Sequence, residues 1–545
     1  MFRNALCGLW LKRSSNGDRQ VFEMKFSLAE SHILPQLVNT GLAWNSGYIN
    51  VVTHGAVRWD FLHTKDSWIL LVYDVSTYSG EESMFEKPTQ IPVLKGGIST
   101  TYQEIENARA NIVRCFENFY VIEGVIGDIA GGISVYAGRA PSLPAYFEKY
   151  DDTLCISWDV EKLLSRAPRV PNFLIIAHRL SLLTPYSVET IFEGVQLLTE
   201  RSSLIYSPNG LDFHYPAEVD YEADLEKALP EIELIKRLHS YFNHTSRLGL
   251  RSATEISGGI DSAIAAYFSS KYSGDNFSLG LLIGDELGTH QIQRRNQLID
   301  ALGFKDYSIH IDEFPPLIPL LERQKPHYRD EFYINGFKRL WSEAKSRGYD
   351  SIINGQGGDE LFYIQRGQMG LNSKFDRSLP NYLSARANLA ASIDSVFFAP
   401  PGLMARTVYN GFGVQTREIA RLGLWPLQPF TMPSIVAPCK RLNIRDSCKK
   451  QVLKSFLQKQ LNFDLFPAGY RKENFTSAML NYILKNEKQI KFECKELALI
   501  ELGLVDADAL SDFLLNFFEK KTSFTMDQLV FLLSIEGIVR EYGHV

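Results

Sequence analysis

Cysteine is scarce in this chain: there are six in 545 residues, at positions 7, 115, 155, 439, 448 and 494, and no C-x-x-C pair. That excludes a zinc ribbon and a disulfide scaffold, and it points to a reducing compartment. Long hydrophobic runs are missing too. The most apolar stretch, 121–138, is broken by Glu123 and Asp128 and cannot span a bilayer. The opening MFRNALCGLWLKRSS holds too short an apolar run for a signal-peptide core. Neither sign of charge dominates. The 57 basic and 63 acidic residues leave a net −6, with no pull toward nucleic acid or an anionic membrane. Internal repeats, low-complexity tracts and the Gly-Lys-Ser/Thr of a Walker loop are also absent. The expectation is a soluble cytoplasmic protein with neither nucleic-acid nor membrane partners. Hydrophobic residues at 45% and charged residues at 22% are ordinary for a globular chain, whose length predicts roughly two to four domains.

What is present divides the chain in two. Residues 1–218 read as mainly β. Short apolar or alternating runs at 48–53, 67–73, 153–158 and 202–206 are separated by glycine- and asparagine-rich turns, with helices at 102–118 and 159–164. Residues 219–545 change period. LRSATEI, FSLGLLI, YSIHI and DSIIN read as strands alternating with helices, which implies a parallel sheet covered on both faces. Beyond about residue 373 the chain is mainly helical. Its last helix is expected to start at a capping box made by Thr525 and Gln528. The fold class is therefore α/β: a β-rich sandwich, then a parallel-sheet domain with a helical C-terminal part.

Two motifs carry chemistry. Ser257-Gly258-Gly259-Ile260-Asp261-Ser262 lies where a strand ends and a helix begins. Glycine there lets the backbone approach an anion closely, and a helix N-terminus adds positive potential, so pyrophosphate is the expected guest. A glycine pair alone would read as a tight turn. Asn354-Gly355-Gln356-Gly357-Gly358-Asp359-Glu360-Leu361-Phe362 follows another strand, three strand–helix units later. Ligands of open parallel sheets bind at the carboxyl ends of strands. Asp261 and Asp359 are thus expected to face one Mg²⁺. The alternative for Asp359 is a helix cap.

Together these motifs resemble the synthetase domain of the asparagine synthetase family, within the PP-loop ATP pyrophosphatases. The resemblance implies ATP as a cofactor. Ser257, Gly258, Gly259, Asp261 and Ser262 would grip its pyrophosphate, Gly355, Gly357 and Gly358 would complete the site, and Asp261 and Asp359 would hold Mg²⁺. The acidic turn Ile283-Gly284-Asp285-Glu286-Leu287 and residues 448–475 extend the likeness. Arg471-Lys472-Glu473-Asn474-Phe475 is similar to the family's Lys-x-x-Phe loop, which implies a catalytic role for Lys472. More weakly, 127–164 and TIFEGVQLLTERSSLIYSPNG resemble the family's glutaminase fold.

A working glutaminase of that kind starts on cysteine. Here Phe2 follows the initiator and Cys7 lies inside the chain, so Cys7 is expected to be a buried strand cysteine. Arg179-Leu180-Ser181 comes too late to be the family's glutamine-binding segment. The chain therefore resembles a family member with a degenerate glutaminase domain, a form shared by β-lactam synthetases and lasso-peptide cyclases. Asparagine synthetases typically carry Glu, and β-lactam synthetases Tyr, where this chain has Gln356. A neutral amide is what the cyclases tend to show, and it cannot act as a general base near neutral pH. The resemblance implies an AMP-forming carbon–nitrogen ligase that closes a macrolactam on a precursor peptide. Its implied partners are a leader-peptide protease and a peptide-recognition protein of the same pathway. An ammonia-using asparagine synthetase, a β-lactam-synthetase-like cyclase and a non-catalytic scaffold remain as alternatives.

Overall fold

The computed structural model describes residues 22–544 apart from 31–32, 52–53, 80–97, 127–130, 141, 183–184, 218–229, 285, 323, 329–330, 363–378, 394–397, 401, 443–445, 447–449, 468, 472–473 and 521–522. Cys7 and the proposed division at residue 218 lie outside the described residues.

The N-terminal half is two stacked seven-stranded sheets. One is centred on Phe22–Ser27, which pairs antiparallel with Thr153–Ser157 and Tyr48–Val51. In the other, Ser67–Asp74 pairs antiparallel with Val57–His63 and Phe119–Val125. Alternation along each strand sends large side chains into the gap between them. Phe22 stacks on Tyr120 at 5.4 Å, and Phe26 meets Tyr206 edge-on at 6.4 Å. The second sheet's outer face is covered by the helix Tyr102–Cys115, which a Thr101–Glu104 capping box starts and whose Ile105 and Ile112 are buried.

The C-terminal half holds a five-stranded sheet, all parallel. Across it run Lys305–His310, Phe277–Leu282, Ser252–Glu255, Ser351–Ile353 and Trp425–Leu427. In order of appearance that is 3-2-1-4-5, a doubly wound sheet whose direction of growth reverses between its first and fourth strands. The first strand shows how both faces are covered. Thr254 Oγ1 donates to Ser269 Oγ of the helix Ile260–Tyr272 at 3.0 Å. The next residue, Glu255, accepts from Trp341 of the helix Ile334–Ser346. Neighbouring side chains thus meet helices on opposite faces.

Two expectations are corrected. The last helix spans Ser523–Tyr542, so Thr525 is inside it and does not cap it. Packing of the buried Met526, Leu529, Val530 and Leu533 carries the helix past the local capping signal. The strand Trp425–Leu427 was not expected, since three residues centred on proline read poorly as β. Its edge position tolerates Pro426.

The halves meet over a polar and aromatic seam. Trp425 Nε1 donates to Asp74 Oδ2 at 2.9 Å, and His54 stacks on Trp425 at 5.4 Å. Burial pushes the Asp74 carboxyl up to about 6 despite its hydrogen bonds. A buried ion network ties Asp159 and Glu161 to Arg417 and Arg421, with Arg421 Nη2 2.7 Å from Asp159 Oδ2 and Arg417 Nη2 2.9 Å from Glu161 Oε1. Glu418 completes the network. Burial alone would raise its pKa, but Arg417, Arg421, Lys338 and His327 outweigh that and hold it at about 2. No helix among the described residues is long and apolar enough to cross a membrane. Cys115, Cys155, Cys439 and Cys494 are buried free thiols.

Candidate active site

Both motifs emerge at the carboxyl ends of the two strands that flank the reversal, Ser252–Glu255 and Ser351–Ile353. The gap between diverging connections is where doubly wound sheets bind ligands. A cavity of 1020 Å³ opens there, lined by Ser257, Asp261, Gln356, Asp359, Lys450 and Phe475 among others.

The first loop is a closed turn. Ser257 N–H donates to Ser262 Oγ at 3.1 Å, Ser262 Oγ donates to Gly259 O at 3.0 Å, and Gly259 N–H donates to Ser257 Oγ at 3.2 Å. Gly258 has φ +85°, and a Cβ on it would lie 3.0 Å from Gln291 O, so only glycine fits without strain. Gln291 also pins the loop, donating from Nε2 to Ser257 O at 2.8 Å. The buried Arg295 does the same one residue earlier, donating from Nε to Ile256 O at 2.7 Å. Gly259 caps Ile260–Tyr272 without a side-chain hydrogen bond, which leaves the helix N-terminus turned to the cavity edge.

The second loop lies directly on the first. A Cβ on Gly358 would come within 2.3 Å of Asp261 Cγ, and one on Gly355 within 2.9 Å of Ser262 N. These glycines permit contact between the two motifs. That contact brings Asp261 and Asp359 together, and both bond to one ammonium. Lys450 Nζ donates to Asp261 Oδ2 and, at 2.7 Å, to Asp359 Oδ1. Burial lowers the Lys450 pKa, but the two carboxylates outweigh burial and hold it above the ordinary lysine value.

Lys450 was not among the expected site residues. It sits at the start of the helix Gln451–Leu461 with φ +58°, a left-handed conformation uncommon for a residue with a side chain. The available signal was the pair Lys450 and Lys454, one helical turn apart. Lys454 reaches the ring of Tyr470 at 5.4 Å, and the Arg294 guanidinium lies 4.8 Å from the same ring.

Gln356 projects into the cavity wall. Its Oε1 accepts from Gln428 Nε2, and its backbone N–H donates to Asn354 Oδ1 at 3.2 Å. A Cβ on Gly411 would meet Gln356 Nε2 at 2.6 Å, so Gly411 leaves room for that amide. Lys472 lies outside the described residues. Tyr470, Asn474 and Phe475 of its segment line the cavity. Arg179 is buried in the helix Phe173–Leu180 of the N-terminal half and does not line the cavity.

The metal expectation fits the donor set in part. Two carboxylates converge closely enough to share one cation, and both offer hard oxygen ligands. Among the described residues no group of three or more candidate ligands forms a cage. Mg²⁺ is commonly held by one or two carboxylates together with substrate phosphates, which two aspartates satisfy.

No protein-family model matches the chain, and no curated protein does. Solved structures are similar to parts of it. An NMN synthetase from Francisella tularensis matches at 19% identity over 26% of this chain and 59% of its own, with a TM-score of 0.19. A U34-tRNA thiolase from Methanococcus maripaludis matches at 15% identity over 49% of this chain and 78% of its own, with a TM-score of 0.24. A glutamine-dependent NAD+ synthetase from Acinetobacter baumannii matches at 12% identity over 71% of this chain and 66% of its own, with a TM-score of 0.17. The chain spans less than two thirds of the first and third of these structures.

Proposed function

We propose that the chain is an ATP-dependent ligase that activates a substrate carboxylate as its adenylate and passes it to an amine. The observation that carries this reading is the convergence of Asp261 and Asp359, from separate loops at the sheet's reversal, on Lys450 in one cavity. Such a site sorts charge. The helix N-terminus after Gly259 and the ammonium of Lys450 suit phosphate oxygens, while the aspartates suit a cation that travels with them.

In the first step the carboxylate oxygen attacks the α-phosphate, and the bond to the β-phosphate breaks with its electron pair on pyrophosphate. The 257–262 loop receives that leaving group. Ser257 Oγ, which accepts from Gly259 N–H in the closed turn, would yield that donor to a phosphate oxygen. Lys450 would turn from the aspartates toward the phosphates. Asp261 and Asp359 would hold Mg²⁺, which when bound offsets phosphate charge. In the second step an amine attacks the acyl carbon and AMP leaves. Lys472, a residue of the 471–475 motif, is proposed to stabilise the anionic transition states that form near the cavity rim. Phe475 and Tyr470 line that rim and would help to exclude water, which otherwise hydrolyses the adenylate.

The finer reading is closure of a precursor peptide, joining its N-terminal amine to an Asp or Glu side chain. Gln356 supports it: an amide held by Gln428 shapes the wall without moving protons. The N-terminal half then serves as a brace. The test is incubation with ATP, Mg²⁺ and candidate precursor peptides. The expected result is AMP, pyrophosphate and a peptide lighter by one water. Formation of asparagine from aspartate and ammonia would overturn the peptide reading.

A further inference from the structure

The cavity has a second chemical character away from the phosphate loops. Glu255 ends the strand Ser252–Glu255, and its Oε1 accepts from Trp341 Nε1 at 2.6 Å. Glu331 precedes the helix Ile334–Ser346. Its Oε1 accepts from Tyr333 N–H at 3.3 Å and its Oε2 from Gln415 Nε2 at 3.2 Å. Both carboxylates line the 1020 Å³ cavity. Each feels the low dielectric of burial, and Glu331 adds repulsion at Glu255, whose carboxyl is pushed up to about 7. No cation among the described residues offsets either one. Two half-buried carboxylates without a counter-charge are costly unless a partner arrives to supply it.

The rest of the cavity says what that partner is. Phosphates belong with Lys450, and an anion would be repelled from the glutamate wall. Gln356 lines the same cavity. It touches Gly411 of the helix Arg406–Phe412, and the next helix, Gln415–Arg421, supplies the Gln415 that holds Glu331.

We propose that Glu255 and Glu331 form the pocket for the nucleophile, which enters as a primary ammonium and sheds a proton to one of their carboxylates. This rests on the ligase reading and names its second substrate by chemistry. The ammonium gives one proton to the carboxylate, and its freed lone pair forms the C–N bond to the acyl carbon. The bond from that carbon to the phosphate oxygen breaks with its electron pair staying on AMP. The remaining surplus proton on nitrogen passes to solvent.

Calorimetric titration of the full chain with glycinamide and with N-acetylglycinamide tests this without turnover. The two probes differ in the charged amine. Wild type is expected to bind glycinamide on the order of tenfold more tightly or better, and a Glu255→Gln, Glu331→Gln double variant to lose that preference. Absence of any preference in wild type, including no binding of either probe, overturns the proposal, as does a preference that survives in the folded double variant. The wild-type comparison does not depend on the variant folding. Preferential glycinamide binding by a chain that makes ADP instead of AMP would sink the ligase reading and leave the ammonium pocket standing.

Discussion

The two halves of the molecule use β structure in opposite ways. In the N-terminal half, antiparallel sheets face each other and fill the space between them with Phe22, Phe26, Tyr120 and Tyr206. In the C-terminal half, parallel strands send their connections to opposite faces and leave a gap at the reversal, and the 1020 Å³ cavity occupies it. The difference teaches that topology decides where chemistry can sit. A closed sandwich spends its strand ends on turns, whereas a doubly wound sheet brings loops from distant segments to one edge. The sandwich still acts on the site indirectly. Asp159 and Glu161 hold Arg417 and Arg421 of the helix whose first residue, Gln415, supports Glu331.

The sharpest break in this contrast is chemical. Asp261→Asn removes one carboxylate from the phosphate end, and AMP formation should fall on the order of 10³-fold while circular dichroism stays that of wild type. Asp359→Asn should behave alike, and near wild-type turnover in either variant would exclude a shared role.

Next comes the brace. Arg417 is 3% exposed and meets Asp159, Glu161 and Glu418, so Arg417→Ala strands buried carboxylates. Denaturant unfolding should show a loss of about 3 to 5 kcal/mol. An unchanged midpoint would mean that the halves are energetically independent.

Smaller and opposite in sign is Glu255→Gln. Glu255 has a folded pKa of about 7, above its unfolded value of 4.5. The folded state therefore binds more protons between those values, and the wild-type chain loses stability as pH rises from 4.5 through 7. At pH 8 the Gln variant should be more stable than wild type, by roughly 1 to 3 kcal/mol, and the gap should close near pH 4. A variant less stable at pH 8 would show that the Trp341 hydrogen bond outweighs burial.

The smallest expected effect is at Gln356. Gln356→Glu places a charge beside the site for the adenylate and should slow amide formation about tenfold. An equal or faster rate would show that the wall tolerates charge there.

How much of this was legible in the sequence follows from how each part is encoded. The loops 257–262 and 354–362 are contiguous, and Gly258, Gly355 and Gly358 mark places where a Cβ would strike the other motif or its own support. Their meeting could be anticipated because strand–helix alternation implies a parallel sheet. Lys450, Glu255 and Glu331 were not legible as site residues. A lone lysine or glutamate reads as surface, and only the fold brings these three into one cavity. The strand Trp425–Leu427 escaped for a local reason, its central proline, although it carries the Trp425–Asp74 contact between the halves.

The most direct test of the central claim is the identity of the nucleotide product. The full chain is incubated with Mg²⁺, ATP labelled at the α-phosphate and candidate precursor peptides, and the label is resolved by chromatography. The account predicts labelled AMP with an equal amount of pyrophosphate, in a reaction that Asp261→Asn abolishes. Labelled ADP with release of inorganic phosphate would contradict it.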